Sequence, residues 1–523
     1  MLKCEDKTEI IIGNAGCGKT TELIRRVSKL LEEGVKPSRI AYCSFSVMAI
    51  EEAIKRATEK CSLKRDDFPY FRTIHSFAFQ LLGLNVQQIM QDYHVHEFGK
   101  IMNMKFISSC TKAGKGAIVT PDDEKLNIVN IARLCDTSVK EYMIANRIDK
   151  FNVSEVEELA NMYKNYKIAK SIFDYTDMLL LAKTADLDIP ELDYLFIDEA
   201  QDLSTLQWRI VERLAEHSDH IVIAGDDKQS INIFAGADVD YFLTIPGKVT
   251  VLEQSYRTPR RVFNMANKIM LKMDKYREEG AVWLPRDTEG SIKYVTSLPW
   301  HAMNNGKWLI LARTNSQLQK IKQMLYENCD RVTMLFTVNG EAGVDLDVFR
   351  AIELFEMKDT PSGLTKMDLI TLKKSDTAEQ RKHKIEYIQL FKKFIGSKTE
   401  TQNVWEVPED FIKSFMSDSW LKAFNKLSIS ERKYIAYILP HYRKYGKEMY
   451  DDVPLRLMTI HTAKGTEEDN VVVLTNVPRT VYNEFDNSND EAKVFYVAVT
   501  RTRKNLYLLE TKTKQETYKR YIE

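Results

Sequence analysis

No CxxC or CxxxC pair occurs among the seven cysteines of this sequence (4, 17, 43, 61, 110, 135 and 329), and their number is odd. Both facts argue against a disulfide framework, a zinc ribbon or a cysteine-ligated iron–sulfur cluster, and the simplest reading is a reducing compartment. Glycine (20) and proline (13) are too scarce in 523 residues for a collagen-like or disordered chain, and 44% hydrophobic residues point to packed structure. Net charge is absent too: 75 Lys+Arg offset 75 Asp+Glu, so any nucleic-acid surface must be a local stripe. No apolar run approaches the ~20 residues that cross a bilayer, and the opening MLKCEDKTEI carries charges where a secretory leader has its apolar core. The expectation is a soluble, cytoplasmic protein of several domains with no membrane partner.

What the sequence has is a series of short apolar runs, Glu9–Ile12, Ile40–Cys43, Leu195–Ile197, Ile221–Ala224, Trp308–Leu311 and Val471–Leu474, bounded by Gly, Asp or Asn. Their length and β-branched content suit strands buried on both faces of a parallel sheet, with helical stretches such as 21–33 and 206–216 as crossovers, so the expected class is α/β. Two long lysine-rich blocks of helical period, 85–170 and 340–450, interrupt the alternation and read as helical insertions.

Gly13-Asn14-Ala15-Gly16-Cys17-Gly18-Lys19-Thr20-Thr21 contains GxxxxGK[ST] between a strand and a helix. Glycines in that context let backbone N–H groups close around phosphates at a helix N-terminus, with Lys19 on the β and γ phosphates and Thr20 on Mg²⁺. A plain Gly-rich turn would share the string but not its flanks. The run Leu195-Phe196-Ile197-Asp198-Glu199-Ala200-Gln201-Asp202 ends a second strand in carboxylates, Asp198 suited to Mg²⁺ and Glu199 to taking the proton of an attacking water. A third strand ends at Gly225-Asp226-Asp227-Lys228-Gln229, which sets an uncharged hydrogen-bonding group, Gln229, where a γ-phosphate would lie. Arg257 and Arg501 are candidates for the charge of a phosphoryl-transfer transition state, although each taken singly reads as a solvated surface residue. His94 and His96 lack the spacing of a helical metal pair.

Taken in order, GNAGCGKT, FRTIHSFAF, FDYTDMLLLA, FIDEAQDLS, IAGDDKQSINIFAGA, LEQSYRTP, LILARTNSQ, LMTIHTAKGTEEDNVVVL and KVFYVAVTRTRKNLYL resemble the successive motifs of the UvrD/Rep/PcrA-like superfamily 1 DNA helicases, from residue 9 to about 510. The resemblance implies two RecA-like parallel-sheet domains forming an ATP cleft: 1–84 with 171–250, interrupted by the insertion 85–170, and 251–339 with 451–523, interrupted by a reduced insertion 340–450. It implies ATP and Mg²⁺ as cofactors, with Lys19, Asp198, Glu199, Gln229, Arg257 and Arg501 catalytic, Thr20 and Asp198 at the metal, Tyr256 stacked on adenine and Glu467 near the ribose. It further implies single-stranded DNA contacts by Phe45, Ser46, Thr73, His75, Phe234, Arg313, Thr459 and His461. Phe45 and Phe234 would otherwise read as core residues.

The strings GDDKQSINIFAGA and IHTAKGTEEDN resemble the 3′→5′ branch, so the resemblance implies a 3′→5′ translocase or helicase acting on single strands and ss/dsDNA junctions. The chain also departs from the family pattern: no Gln lies in Met1–Ile12, Ser46-Val47 stand where Thr-Asn is frequent, and Asn232 and Ala235 replace an aromatic and an Arg. Little chain follows the last motif. Those departures keep open two further expectations, a translocase that unwinds poorly alone and a nucleic-acid-stimulated ATPase subunit paired with a nuclease or repair partner in a bacterial or phage setting. Residues 361–450 hold 17 Lys+Arg against 11 Asp+Glu, a difference of +6, and Lys373, Lys374, Lys392 and Lys393 are expected to face duplex phosphates.

Overall fold

The computed structural model describes residues 2, 5–44, 47–61, 63–107, 120–232, 236–273, 283–329, 334–356, 369–373, 375–397, 407–478, 481, 490–510 and 517–522, without the side chains of 48, 49, 52 and 59–61. They form two compact units, Met1–Thr296 with Ile460–Glu523, and Ser297–Thr459.

The first unit is built on a parallel sheet of six strands, β1 (Thr8–Gly13), β2 (Ile40–Ser44), β3 (Phe71–Thr73), β4 (Leu192–Asp198), β5 (Ser218–Gly225) and β6 (Lys248–Leu252), in the order β3-β2-β4-β5-β1-β6. The unbroken apolar runs follow from burial on both faces. Ile10, Ile12, Ala41, Cys43, Leu195, Ile197, Ile221 and Ile223 face one layer. Ile11, Ile40, Tyr42, Phe196, Val222 and Ala224 face the other. The first layer is covered by the helices Ile74–Leu81, Tyr175–Thr184 and Thr205–Glu216, the second by Lys19–Glu32 and Val47–Cys61. Each Ile, Leu, Val or Phe among them contributes about 1.5–3 kcal/mol on removal from water, so the sheet is the rigid part of the unit.

Register fixes what meets at the sheet's carboxyl edge. Ile12 pairs with Gly225, Ile197 with Ile223 and Ser44 with Asp198, so the segments after β1, β4 and β5 emerge side by side. That edge is where open parallel sheets present ligand sites.

Within 85–170 lie the helices Asp92–Met102, Pro121–Leu134 and Val153–Lys170, packed around Phe98, Leu126, Leu159 and Tyr163, and the helix Val139–Ala145, whose Met143 packs with Ile128, Val129 and Val156. Arg133 and Lys167 reach from this block to Asp174 and Asp177 at the start of helix Tyr175–Thr184 (Arg133 to Asp174, 2.8 Å; Lys167 to Asp177, 2.6 Å). The cations hold the Asp174 carboxyl well below its ordinary range in spite of its burial. His94, in the same block, accepts the Gln91 N–H at Nδ1, 2.9 Å, and serves as a helix cap. In the remainder of the unit the strands Glu468–Leu474, Thr502–Leu509 and Ser291–Val295 run parallel side by side.

Motif order sets a boundary at 251, whereas packing gathers 251–296 and 460–523 with the first sheet, because both segments are hydrogen-bonded to the residues around the phosphate loop.

The second unit carries the strands Glu341–Ala342, Phe336–Val338, Leu455–Thr459 and Trp308–Ala312 as neighbours in that order, parallel except for the Phe336–Val338 and Glu341–Ala342 hairpin. The helices Asp347–Glu356, Ala378–Phe394, Glu409–Phe415 and Ile429–Tyr445 account for most of the described part of 340–450. Phe355, Phe391, Phe415 and Phe424 pack edge to face there, with ring centroids 4.6–6.4 Å apart. Part of the basic excess is neutralised locally: Lys393 pairs with Asp347, Arg443 with Glu356, and Lys384 with Asp376 at 2.8 Å. Lys374 lies outside the described residues. Among the described residues no helix is long and apolar enough to cross a membrane.

Candidate nucleotide site and nucleic-acid residues

β1 ends at Gly13, and Lys19 opens the helix Lys19–Glu32 with Gly18 as an N-cap that supplies no side chain, leaving the first backbone N–H groups to an anion. Gly16 and Gly18 both take φ +79°, which a side chain disfavours. At Gly16 a Cβ would also stand 2.4 Å from the Arg257 Cβ. The loop is held from one side: Ser255 Oγ donates to the Ala15 carbonyl (2.8 Å), the Tyr256 N–H to the Gly16 carbonyl (2.9 Å), and the Ala15 N–H to the Tyr496 hydroxyl (3.4 Å). Lys19 is buried, its amine 2.8 Å from the Gly13 carbonyl and 4.0 Å from Asp226 Oδ2. Burial pushes the Cys17 thiol up to about 11, so it is not a thiolate. Asn14 is buried, and its Oδ1 has no hydrogen-bond partner among the described residues.

Asp198 stands at the end of β4 with no accessible surface. Its Oδ2 accepts from the Thr20 hydroxyl (2.7 Å) and the Tyr42 hydroxyl (2.8 Å), and its Oδ1 from the Glu199 N–H (2.9 Å). Burial and the Glu199 carboxylate raise its pKa to about 6. Burial also works to raise Glu199, but Lys464 and Lys19 outweigh it and hold that carboxyl below its ordinary value. Glu199 adopts φ +54°, a strained conformation for a residue with a side chain. Gln201 bridges outward from this turn, donating to Glu199 Oε2 (2.6 Å) and accepting the Asp226 N–H (2.9 Å).

The C-terminal motifs close the site. Arg501, 1% exposed, donates to Gln229 Oε1 at 2.8 Å and to the Val497 carbonyl at 3.0 Å. Burial, with Arg257 nearby, lowers its pKa to about 9, which leaves the guanidinium charged at neutral pH. Lys464 pairs with Asp202, donates to the Gln229 carbonyl at 2.7 Å and lies 3.9 Å from Glu199. Arg257 pairs with Glu467, and Tyr256 beside it is 71% exposed with its ring edge 3.9 Å from a Cβ built on Gly18. The loop from Gly13 to Thr21, Asp198, Glu199 and Gln229 are thus gathered with Arg257, Tyr256, Glu467 and Arg501 in one unit.

Thr20 and Asp198 fit a Mg²⁺ ion bound together with phosphates: they are a hydroxyl and a fully buried carboxylate 2.7 Å apart beside the loop. Among the described residues no group of three or more His, Cys, Asp or Glu could cage a metal by itself.

The nucleic-acid candidates are less concentrated. Phe45, Ser46 and Phe234 lie outside the described residues. Thr73 caps the helix Ile74–Leu81, its Oγ1 accepting the Ser76 N–H at 3.2 Å. His75 stands edge-on to Tyr175 at 5.9 Å, and burial pushes its pKa down to about 4, so the ring is neutral. His461 belongs to the same unit. Arg313 and Thr459 belong to the other: Arg313 is 1% exposed at the end of strand Trp308–Ala312, and the Thr459 N–H donates to Asn339 Oδ1 at 2.9 Å.

Sequence reasoning passed over Tyr42, Gln201 and Lys464. Tyr42 reads as one more apolar strand residue. Gln201 and Lys464 sit inside quoted motifs without the charge pattern of a ligand, and only the fold shows what they bridge.

Comparison with known proteins agrees with this geometry. Residues 1–250 match the UvrD/REP helicase N-terminal domain and residues 368–513 the UvrD-like helicase C-terminal domain. The chain is 21% identical to ATP-dependent DNA helicase PcrA of Staphylococcus epidermidis over 97% of its own length and 81% of the relative's. It is 22% identical to YjcD of Bacillus subtilis (97% and 78%) and 21% identical to PcrA of Staphylococcus aureus (97% and 82%). With both domain families matched in the order of the motifs and a RecA-like sheet carrying them, the chain belongs to the UvrD/Rep/PcrA family of ATP-dependent DNA helicases.

Proposed function

We propose that this protein hydrolyses ATP to move 3′→5′ along single-stranded DNA and to separate strands at ss/dsDNA junctions. The observation that carries the reading is the 2.8 Å hydrogen bond from Arg501 to Gln229 Oε1, which joins the last of the nine motifs to the IAGDDKQSINIFAGA motif beside the phosphate loop. Such a link senses whether nucleotide lies between the two segments and so couples hydrolysis to motion.

In this reading the loop N–H groups and Lys19 hold the phosphates, Tyr256 stacks the base and Glu467 meets the ribose. Thr20 and Asp198 would hold Mg²⁺, which when bound would neutralise phosphate charge. Glu199 takes the proton of the attacking water, because Lys464 and Lys19 keep its carboxylate ionised at neutral pH. Gln229 orients that water, while Arg501 and Arg257 stabilise the equatorial oxygens of the transferring group. Phe45 and Phe234 stack bases of any sequence, and Ser46, Thr73, His75, Arg313, Thr459 and His461 hold the backbone. The polarity is supported by the strings GDDKQSINIFAGA and IHTAKGTEEDN.

The test is ATP turnover with and without single-stranded DNA, followed by unwinding of forks carrying a 3′ or a 5′ tail. Stimulated turnover with 3′-tailed unwinding is expected, and Glu199→Gln should keep nucleotide binding while losing turnover roughly a hundred-fold or more. Stimulated turnover without unwinding would favour the second reading, an ATPase subunit of a nuclease-paired or repair assembly. Wild-type turnover in Glu199→Gln would reject the role of that acid.

A further inference from the structure

Tyr42 lies in the middle of β2 with no accessible surface, its ring between Phe71 (centroids 5.5 Å apart) and Phe196 (6.4 Å). A phenylalanine would pack against both rings equally well. The hydroxyl has therefore been carried into the interior at a cost that only a hydrogen bond offsets, and its partner is Asp198 Oδ2 at 2.8 Å.

Three donors orient the Asp198 carboxylate, and they are not equivalent. The Glu199 N–H sits on the next residue of the same chain segment, in a strained turn. The Thr20 hydroxyl is itself a proposed metal ligand and must share its oxygen with the ion. Tyr42 reaches across from the neighbouring strand, where the register pairs it with Phe196, and its ring is clamped on both sides. Carboxylate torsions are broad when nothing holds them, so a fixed external donor decides the plane in which the two oxygens are presented to the loop.

We propose that Tyr42 is a positioning residue for the divalent metal, its hydroxyl fixing the plane of the Asp198 carboxylate at the mouth of the phosphate loop. The inference rests on the ATPase reading above. Groups that orient a ligand from behind typically govern metal affinity by 10–100-fold, so removal of this hydroxyl should weaken metal binding by roughly ten-fold or more. Turnover at saturating metal should return close to the wild-type value, because no reacting atom is touched.

The experiment uses the full chain, with Mn²⁺ as the probe. Binding of Mn²⁺ with a non-hydrolysable ATP analogue is followed by electron paramagnetic resonance, and Mg²⁺ dependence by single-strand-stimulated turnover. Tyr42→Phe keeps the ring. It should raise the apparent Kd for Mn²⁺ and the half-saturating Mg²⁺ together, with analogue binding in EDTA unchanged. Leu214→Ala, in the core layer on the opposite face of the sheet, serves as a packing control and should lower the melting temperature while leaving Mn²⁺ affinity alone. Wild-type Mn²⁺ affinity in Tyr42→Phe, or equal weakening in Leu214→Ala, would overturn the proposal. A wild-type protein that binds no Mn²⁺ with the analogue would instead overturn the ATPase reading on which it rests.

Discussion

Arg501→Ala is the perturbation in which the structure says most about the size of the effect. The guanidinium spans from the Val497 carbonyl at 3.0 Å to Gln229 Oε1 at 2.8 Å, and its removal leaves a buried amide oxygen without that donor. An orphaned buried acceptor costs about 1–3 kcal/mol, so a lower melting temperature is expected and must be measured separately from the kinetics. A charged donor aimed at developing phosphoryl charge is worth ~10²–10³ in kcat, or about 2.7–4 kcal/mol of transition-state stabilisation. Ground-state ATP gains far less from it, because Arg501 is already engaged with Gln229 and the helix carbonyl rather than extended into solvent. Steady-state hydrolysis with saturating single-stranded DNA, paired with binding of a fluorescent ATP analogue, separates the two effects. The expected outcome is kcat down by ~10²–10³ with analogue affinity little changed. A raised KM with normal kcat would refute the argument and make Arg501 a structural tie between segments.

His75 should give the folded protein an acid-side weakness: burial lowers its pKa to about 4 from an ordinary value of 6.5, so its stabilising contribution is present above 6.5 and is lost as pH falls toward 4. At pH 5 the loss is about 2 kcal/mol, and thermal melts of wild type against His75→Asn should show their difference narrowing from pH 7 to 5; a constant difference would sink the assignment. Neutralising Lys373, Lys374, Lys392 and Lys393 together should flatten the salt dependence of forked-duplex binding by about one unit of slope for each phosphate no longer neutralised. An unchanged slope would assign that block to packing or to a protein partner. Gln201→Ala should reduce turnover as well as stability, since the Asp226 N–H loses its acceptor and Glu199 a donor; a purely thermal defect with normal kcat would reject its catalytic relevance.

The α/β class and the phosphate loop are legible in the sequence because their physics is local. Strands buried on both faces must be short unbroken apolar runs, and a backbone that wraps phosphate needs glycine at left-handed positions, as at Gly16 and Gly18. Helix bounds agree within one or two residues, Lys19–Glu32 and Thr205–Glu216 against the periodic stretches 21–33 and 206–216. Roles that depend on a partner far away in the chain are not legible. The Tyr42 hydroxyl meets an acid 156 positions on, and Lys464 bridges to Gln229 across 235. Neither pairing leaves a local trace, since tyrosine is at home in strands and lysine on surfaces. In 361–450 part of the basic excess is offset by acids from outside that stretch, Asp347 on Lys393 and Glu356 on Arg443, which a count along the chain does not include.

Glu199 shows why such long-range ties matter to the chemistry. A left-handed backbone at a non-glycine residue costs of order 1–3 kcal/mol and persists only where its surroundings over-determine it. Here the turn is held at three points: Asp198 Oδ1 accepts its N–H, Gln201 donates to its carboxylate, and the same Gln201 is pinned by the Asp226 N–H of the next strand. Relaxing the backbone would swing the carboxylate away from Lys19 and Lys464, the charges that keep it ionised in a desolvated site. In the proposed reading the strain is therefore a consequence of setting a metal-facing carboxylate and a proton-accepting one on adjacent residues of a single strand end, where an extended backbone would send them to opposite faces.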